Sequence, residues 1–205
     1  NTKVPGDLAE TLARVTSVSQ GVWADARSRD DVAGFLPTLR EVIDLKRQEA
    51  AALAEGGDLY DALMDDYEPG ATAATIGAMF DRMRPRLVAL RAAVLARPAP
   101  AAVEGHFSAD SQLRMARDLG TAFGYDWSRG RMDLAVHPFS SGGGNDSRIT
   151  TRVVETEPFN CFYSTIHEVG HSSYELNIDP DYGMTPIGHG CSMGVHESQS
   201  RIYEN

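Results

Sequence analysis

Residues 161–171 constrain the fold of this chain more than any other stretch, because they contain the pentapeptide His-Glu-Val-Gly-His. On a helix, His167 and His171 lie one turn apart and point the same way, so both imidazoles can hold one metal ion. Glu168 flanks that position without having to bind the ion. Apolar residues surround the motif and indicate a mostly buried helix, in which paired histidines need partners. We therefore predict a metal-binding helix rather than two surface histidines.

Helical periodicity dominates the chain up to residue 130. Apolar residues recur at helical spacing over 7–29, from Pro37 to about Leu53, over 59–67 and from Thr72 to Val94. Pro85 is expected to kink or split the last of these helices. After Pro98-Ala99-Pro100, a stiff connector, Ser108 can cap a further helix that ends at Gly124.

The period changes from 3.6 to 2 at Arg131, which predicts a strand over 131–139. Residues 140–146 are rich in Ser and Gly and read as a flexible loop, and 148–154 as the second strand of a hairpin. We expect the metal helix from about Glu157 to Tyr174 and another helix from Ser192. The predicted fold is mainly α, with a small antiparallel β-sheet next to the metal helix. From the sequence pattern alone, we favour a structural role for His137, on the first strand, over a position facing the substrate.

Charge and composition argue against several classes of partner. With 29 acidic residues against 19 Lys and Arg, the net charge is -10, which disfavours nucleic acid or an anionic membrane surface. No apolar run approaches the roughly 20 residues of a transmembrane helix, and no signal peptide is visible. The two cysteines, Cys161 and Cys191, do not make a disulfide framework, so we expect free thiols in a reducing cytoplasm.

Two histidines leave Zn²⁺ short of the catalytic set of three protein ligands and a water. A carboxylate from a second helix completes that set better than Glu175, which lies on the same helix face as the histidines. Glu197 meets this requirement, and we prefer it. His189, Cys191 and His196 stay open as alternatives, although the first two lack the tight paired spacing of a structural zinc site.

Four blocks of sequence, taken in order, resemble the motifs of one known family. They are His137-Pro138-Phe139, Asp146-x-Arg148-x-Thr150, His167-Glu168-x-x-His171 and His196-Glu197-Ser198-Gln199. Together they are similar to the carboxypeptidase Taq family of metallocarboxypeptidases, almost continuously from about Leu134 to Asn205. The helical region before them is compatible with that family but unspecific.

The resemblance implies a helical zincin-like peptidase fold with a deep groove and a small β-sheet at its wall. It implies Zn²⁺, with Co²⁺ as an alternative, held by His167, His171 and Glu197, and it implies Glu168 as general base. The family removes C-terminal amino acids from peptides, so a peptide is the expected substrate. Its members are usually homodimers.

The resemblance also assigns substrate-binding roles, to His137 and Arg148, and so moves His137 toward a functional interpretation. Family members are much longer than this chain, and their blocks Ile-Arg-x-x-Ala-Asp and Gly-x-x-Gln-Asp-x-His-Trp lie beyond Asn205. An exopeptidase recognises a free carboxylate, normally through Arg, and in the family that arginine lies in the part beyond Asn205. We therefore predict one partial domain over 1–205, cut from a larger protein, with a helical region over 1–130 and the hairpin and metal-site helices over 131–205.

The expected reaction is peptide hydrolysis by metal-activated water, in which Glu168 takes a proton from the water and passes it to the leaving amine. Three alternatives stay open. An aminopeptidase would carry a Gly-x-Met-Glu-Asn strand before the zinc helix, and this sequence has none. The chain could also be a metal-binding helical fragment without turnover by itself, or a purely structural helical protein.

Overall fold

The computed structural model describes residues 3–205, which form α-helices and a small sheet of short strands. The chain divides into two compact units, one ending at Pro98 and the other formed by Ala99–Asn205. The boundary lies within Pro98-Ala99-Pro100, the segment that the sequence predicts to be a stiff connector. The single partial domain inferred from the sequence stays a prediction.

Helices make up the first unit. They are α1 (Gly6–Ser28), α2 (Val32–Ala54), α3 (Leu59–Met64) and α4 (Ala73–Leu95). Helix α2 begins well before Pro37, because the Asp31 carboxylate accepts a hydrogen bond of 2.8 Å from the backbone N–H of Gly34 and caps the helix there. Helix α4 continues through Pro85 as one element, so of the kink or split predicted there the split does not occur.

A small apolar core joins α1 to α2. Leu12 and Val15 of α1 pack with Leu45 of α2, and Leu8 and Val42 flank them. The apolar spacing that predicted these two helices therefore identifies their packed faces. The apolar side chains of α4 behave differently, because none of its residues is buried.

The second unit surrounds a three-stranded sheet with helices. Tyr125, Ile149 and Val169 form its buried core, together with partly buried Trp127, Met132 and Tyr203. The elements in chain order are α5 (Ala109–Ala122), β1 (Met132–Leu134), β2 (Ser140–Gly143), β3 (Asp146–Thr151), α6 (Pro158–Leu176), a 3-10 turn (Pro180–Tyr182) and α7 (Met193–Glu204).

The sheet is mixed, which corrects the prediction of an antiparallel hairpin built from 131–139 and 148–154. Its order is β1-β3-β2, with β1 parallel to β3 and β2 antiparallel to it. The Ser- and Gly-rich segment predicted as a flexible loop forms β2. Gly142 makes this pairing possible, since a Cβ at that position would lie 2.1 Å from the carbonyl oxygen of Asp146.

Buried hydroxyl groups attach β3 to the start of α6. Thr151 Oγ1 donates to the carbonyl oxygen of Cys161 at 3.1 Å, and Thr165 Oγ1 lies 3.0 Å from Thr151 Oγ1. Pro158 occupies the first turn of α6, where its missing N–H costs nothing. These contacts fix the helix that carries the His-Glu-Val-Gly-His motif against the sheet. The predicted mainly helical fold with a small adjacent sheet is thus confirmed, apart from the direction of β1.

Candidate metal centre

The two motif histidines converge at one point on α6. His167 Nε2 and His171 Nε2 lie 3.1 Å apart, and the two ring centroids are 4.8 Å apart. The two side chains are mostly buried, at 18% and 14% exposed. This is the placement that the one-turn spacing predicts, with both Nε2 atoms aimed at a shared position.

Glu197 brings a carboxylate to the same position from α7. Its Oε2 lies 3.5 Å from His167 Nε2 and 3.7 Å from His171 Nε2. Two ligands of one tetrahedral zinc ion are separated by about 3.4 Å, given metal–ligand bonds near 2.1 Å. Two neutral imidazole nitrogens and a carboxylate oxygen at these separations therefore fit a divalent cation such as Zn²⁺. Of the described residues, these three form the group whose donor atoms all lie within 4.8 Å of one another.

Glycine within the motif allows α7 to approach α6. A Cβ at Gly170 would lie 2.6 Å from the Cα of Ser200, which is closer than such atoms approach in proteins. Ser200 is itself fully buried, and its hydroxyl lies 3.2 Å from Glu197 Oε2. The close helix contact thus brings Glu197 to α6, and Ser200, one turn further along α7, gives its carboxylate a hydrogen-bonding partner.

The other nitrogen of each histidine ring contacts an outer group. His167 Nδ1 is paired with the Glu204 carboxylate. His171 Nδ1 lies 2.7 Å from His196 Nδ1, and His196 Nε2 lies 2.7 Å from Glu175 Oε1. His196 and Glu175, which the sequence left open as ligands, therefore lie behind His171.

The remaining candidates, His189 and Cys191, are exposed and are not part of the three-residue group. Glu204 did not emerge from the sequence, although a signal existed, since it follows Glu197 by two helical turns and shares its face. The ligand assignment to His167, His171 and Glu197 stays a prediction with consistent geometry.

Glu168 is buried beside these groups. Burial, together with repulsion from the nearby carboxylates of Glu197 and Glu204, raises its pKa to about 7. Burial also lowers the pKa of His171, which favours the neutral ring that a metal requires. A cation among the carboxylates would oppose their mutual repulsion.

A groove of about 780 Å³ opens over this part of α6. His137, Arg152 and Tyr163 line it, as do the motif residues His167 and Glu168. The sequence did not single out Arg152, whose guanidinium is held by Asn160 Oδ1 through contacts of 3.1 and 3.3 Å. It lies within the strand predicted over 148–154, whose pattern does not distinguish it from its neighbours, and in the structure it follows the last residue of β3.

Of the two residues predicted to bind substrate, one lines the groove and the other does not. His137 is exposed and lines the groove. Arg148 is exposed on β3, where its Nη2 forms an ion pair of 2.8 Å with Asp146 Oδ2, and it is not among the groove-lining residues. Both roles remain predictions.

A buried carboxylate beside two histidines and a glutamate that could hold a metal ion, at the edge of a groove, is typical of a metallopeptidase centre. The family model for carboxypeptidase Taq (M32) metallopeptidases matches residues 1–205. The chain belongs to this family.

Named relatives agree with this assignment. The chain is 40% identical over 216 residues to thermostable carboxypeptidase 1 of Thermus thermophilus, which covers 98% of the chain. It is 32% identical over 209 residues, covering 100% of the chain, to carboxypeptidase 1 of Bacillus subtilis. The chain spans 42% of the length of each of these relatives.

Solved structures share the fold. The M32 carboxypeptidase from Deinococcus radiodurans R1 matches 100% of the chain at 39% identity with a TM-score of 0.84. The Pyrococcus furiosus carboxypeptidase matches 99% at 33% identity, also with a TM-score of 0.84. The chain again spans 42% of each of these structures. In residues 3–205 no helix has the length and apolar character needed to cross a membrane.

Proposed function

We propose that this chain carries the metal centre and part of the substrate groove of a metallocarboxypeptidase, which removes C-terminal amino acids from peptides. The observation that carries the proposal is the convergence of His167 Nε2, His171 Nε2 and Glu197 Oε2 beside a buried Glu168. The relatives named as carboxypeptidases support the reaction class.

The proposed cofactor is Zn²⁺, or Co²⁺ in its place, held by His167, His171 and Glu197. When bound, such an ion supplies Lewis acidity toward water and the scissile carbonyl. Glu168 accepts the proton of the attacking water and then passes it to the leaving amine. Its burial at the groove suits this work, because a pKa near 7 lets one carboxylate both take and return a proton.

The groove residues position the peptide in this proposal. His137 is exposed at the groove wall and can donate to or accept from the peptide backbone. Arg152 offers a guanidinium already fixed by Asn160 within the same groove. Arg148 keeps its proposed substrate role only if the peptide extends beyond the groove toward β3.

Two kinds of peptide test the reaction. Peptides with a blocked N-terminus should be shortened from the C-terminus, whereas peptides with an amidated C-terminus should be left intact. The opposite preference would identify an aminopeptidase and overturn the proposal.

The metal ligands are tested by Glu197→Ala. This change should lower the affinity for Zn²⁺ by more than the roughly 10–100-fold that loss of an outer partner costs, because it removes a direct ligand. Ser198→Ala, at an exposed neighbouring position, is the control and should bind as the unchanged chain does. Equal zinc affinity in both variants would exclude Glu197 as a ligand.

A second candidate function is metal binding without turnover by this chain alone. It is favoured by one observation, that the chain spans 42% of the length of its relatives. One equivalent of bound zinc with no hydrolysis of any blocked or amidated peptide would support this candidate. Hydrolysis by the isolated chain would exclude it.

Location and assembly belong to the same proposal. Cys161 and Cys191 are free thiols, which is consistent with a reducing cytoplasm. The full-length protein is proposed to be a homodimer by its resemblance to the family, with peptides as substrate and neither nucleic acid nor membrane as partner.

A further inference from the structure

His196 lies against the proposed metal centre, but its ring nitrogens face away from the ligand atoms. Its Nδ1 contacts His171 Nδ1 at 2.7 Å, and its Nε2 contacts Glu175 Oε1 at 2.7 Å. Glu175 also accepts from the backbone N–H of Gly190 at 3.3 Å, which holds the carboxylate in place. Both nitrogens of His196 are therefore engaged by protein groups.

With an ionised carboxylate and neutral rings, these contacts fit one placement of the protons. An ionised carboxylate only accepts hydrogen bonds, so the proton between Glu175 and His196 belongs to His196 Nε2. In a neutral ring, His196 Nδ1 is then an acceptor, and the proton between the two histidines belongs to His171 Nδ1. His171 Nε2 is left with a free lone pair, and this is the atom that faces His167 Nε2 and Glu197.

The same tautomer follows for His167 from a direct contact with a carboxylate. Its Nδ1 is paired with the Glu204 carboxylate, so Nδ1 carries the proton and Nε2 carries the lone pair. Arg201 holds Glu204 from the outer side through an ion pair of 2.7 Å. A carboxylate on α7 and another on α6 thus favour the same tautomer in both motif histidines.

We infer that Glu204, and His196 together with Glu175, are positioning residues that hold His167 and His171 in the Nδ1–H tautomer and so prepare both Nε2 atoms for a cation. The inference rests on the metal centre of the proposed function. A carboxylate behind a ligating imidazole fixes the ring orientation and increases the basicity of the ligand nitrogen. His196 therefore acts on the metal through His171 rather than as a ligand.

The tautomers can be read directly in the metal-free chain. Nuclear magnetic resonance of protein with isotopically labelled histidine nitrogens, at a pH of about 8, should find Nδ1–H in His167 and His171 and Nε2–H in His196. Nε2–H in either motif histidine would overturn the inference. This measurement uses the unchanged chain, so it does not depend on any variant folding.

Matched substitutions then separate a positioning role from ligation. Asn at position 196 can place an acceptor oxygen near the position of His196 Nδ1, whereas Leu has the same shape without an acceptor. His196→Leu should weaken Co²⁺ binding by about 10–100-fold, and His196→Asn should stay within a few-fold of the unchanged chain. His189→Leu, at an exposed site, is the control and should leave the affinity unaltered. Equal losses in the Asn and Leu variants, with an altered visible spectrum of bound Co²⁺, would make His196 a ligand and overturn the inference.

The same design applies to Glu204. Glu204→Gln keeps an acceptor oxygen and should bind Co²⁺ more tightly than Glu204→Leu, which should show the 10–100-fold loss. If the unchanged chain binds no Co²⁺, the metal centre itself fails, and the tautomer measurement still decides the hydrogen bonding. If every variant binds Co²⁺ as tightly as the unchanged chain, the metal centre stands and the positioning role is excluded.

Discussion

Glu168 shows how one side chain can differ from its neighbours in the same motif. It shares α6 with His167 and His171 and lines the groove as His167 does, but it is not in the group of converging donor atoms. Its burial and the adjacent carboxylates of Glu197 and Glu204 raise its pKa, so its charge depends on what else is in the site. A group of this kind suits proton transfer better than ligation.

We predict that the Glu168→Gln variant still binds the metal ion but no longer hydrolyses peptides efficiently. The substitution preserves the shape of the side chain but removes the group that takes the proton, so peptide hydrolysis should fall by at least about 10²-fold. Zinc content should stay at the level of the unchanged chain, since Glu168 is not among the ligand atoms. Metal analysis and peptide turnover on the same samples check both statements.

The control for this prediction is Glu155→Gln, because Glu155 is an exposed carboxylate and does not line the groove. That variant should retain both metal and hydrolysis. Hydrolysis by Glu168→Gln at the rate of the Glu155→Gln protein would mean that another group is the base.

At the residue scale, the sequence suggested three groups that the structure brings close together. His167 and His171 follow from one helical turn, and Glu197 follows from the need for a ligand on a second helix. The roles of His196 and Glu204 could not be predicted in this way. The seven-residue spacing places Glu204 on the same face of α7 as Glu197, but only the contact between α6 and α7 shows which histidine nitrogens Glu204 and His196 reach.

At the scale of elements, the site depends on how closely α6 and α7 approach. Gly170 lies inside the metal motif, and the Cα of Ser200 occupies the space next to it. Since Glu197 and Glu204 are both on α7, a wider helix separation would withdraw a ligand and an outer partner together. The helix contact is therefore part of the proposed metal centre.

We predict that Gly170→Ala destabilises the chain by about 1–3 kcal/mol, because the added methyl group overpacks a well-filled contact. It should also weaken zinc binding, as α7 is displaced. Urea unfolding and a zinc titration measure the two effects.

Gly21→Ala is the matched control, since a Cβ at Gly21 in α1 meets nothing within 4 Å. Alanine at a helix-interior position should be neutral or stabilising by up to about 1 kcal/mol. If both variants unfold at the same urea concentration, the close contact at Gly170 is not what limits the packing of α6 and α7.

The elements themselves were predicted unequally well. Apolar spacing located α1, α5 and α6 closely, because each of them buries one side of its surface. The sheet was harder, since β1 and β2 are very short and mostly exposed and leave little alternation to detect. The pairing of β1 with β3 is a long-range contact, and it reversed the expected direction of that strand.

At the scale of the whole chain, acidic charge and metal binding are connected. The net charge is -10, and Glu168, Glu175, Glu197 and Glu204 all lie in or beside the metal centre. Without a cation, like charges at the centre repel one another and oppose the packing of α6 against α7. A bound divalent ion should relieve that repulsion and join the two helices through their ligands.

We therefore predict that zinc stabilises the second unit specifically. A ligand present at 100 times its dissociation constant stabilises the folded state by about 2.7 kcal/mol. Backbone amides of α6 and α7 should exchange hydrogen more slowly when zinc is added, because the ligands are on these helices. Amides of α1 and α2 should show little change, since the proposed ligands lie in the unit formed by Ala99–Asn205. Hydrogen exchange measured by mass spectrometry, with zinc and with a chelator, distinguishes the two regions.

Equal protection in α1 and α6 would contradict a centre confined to the second unit, and protection in neither would contradict zinc binding at this site.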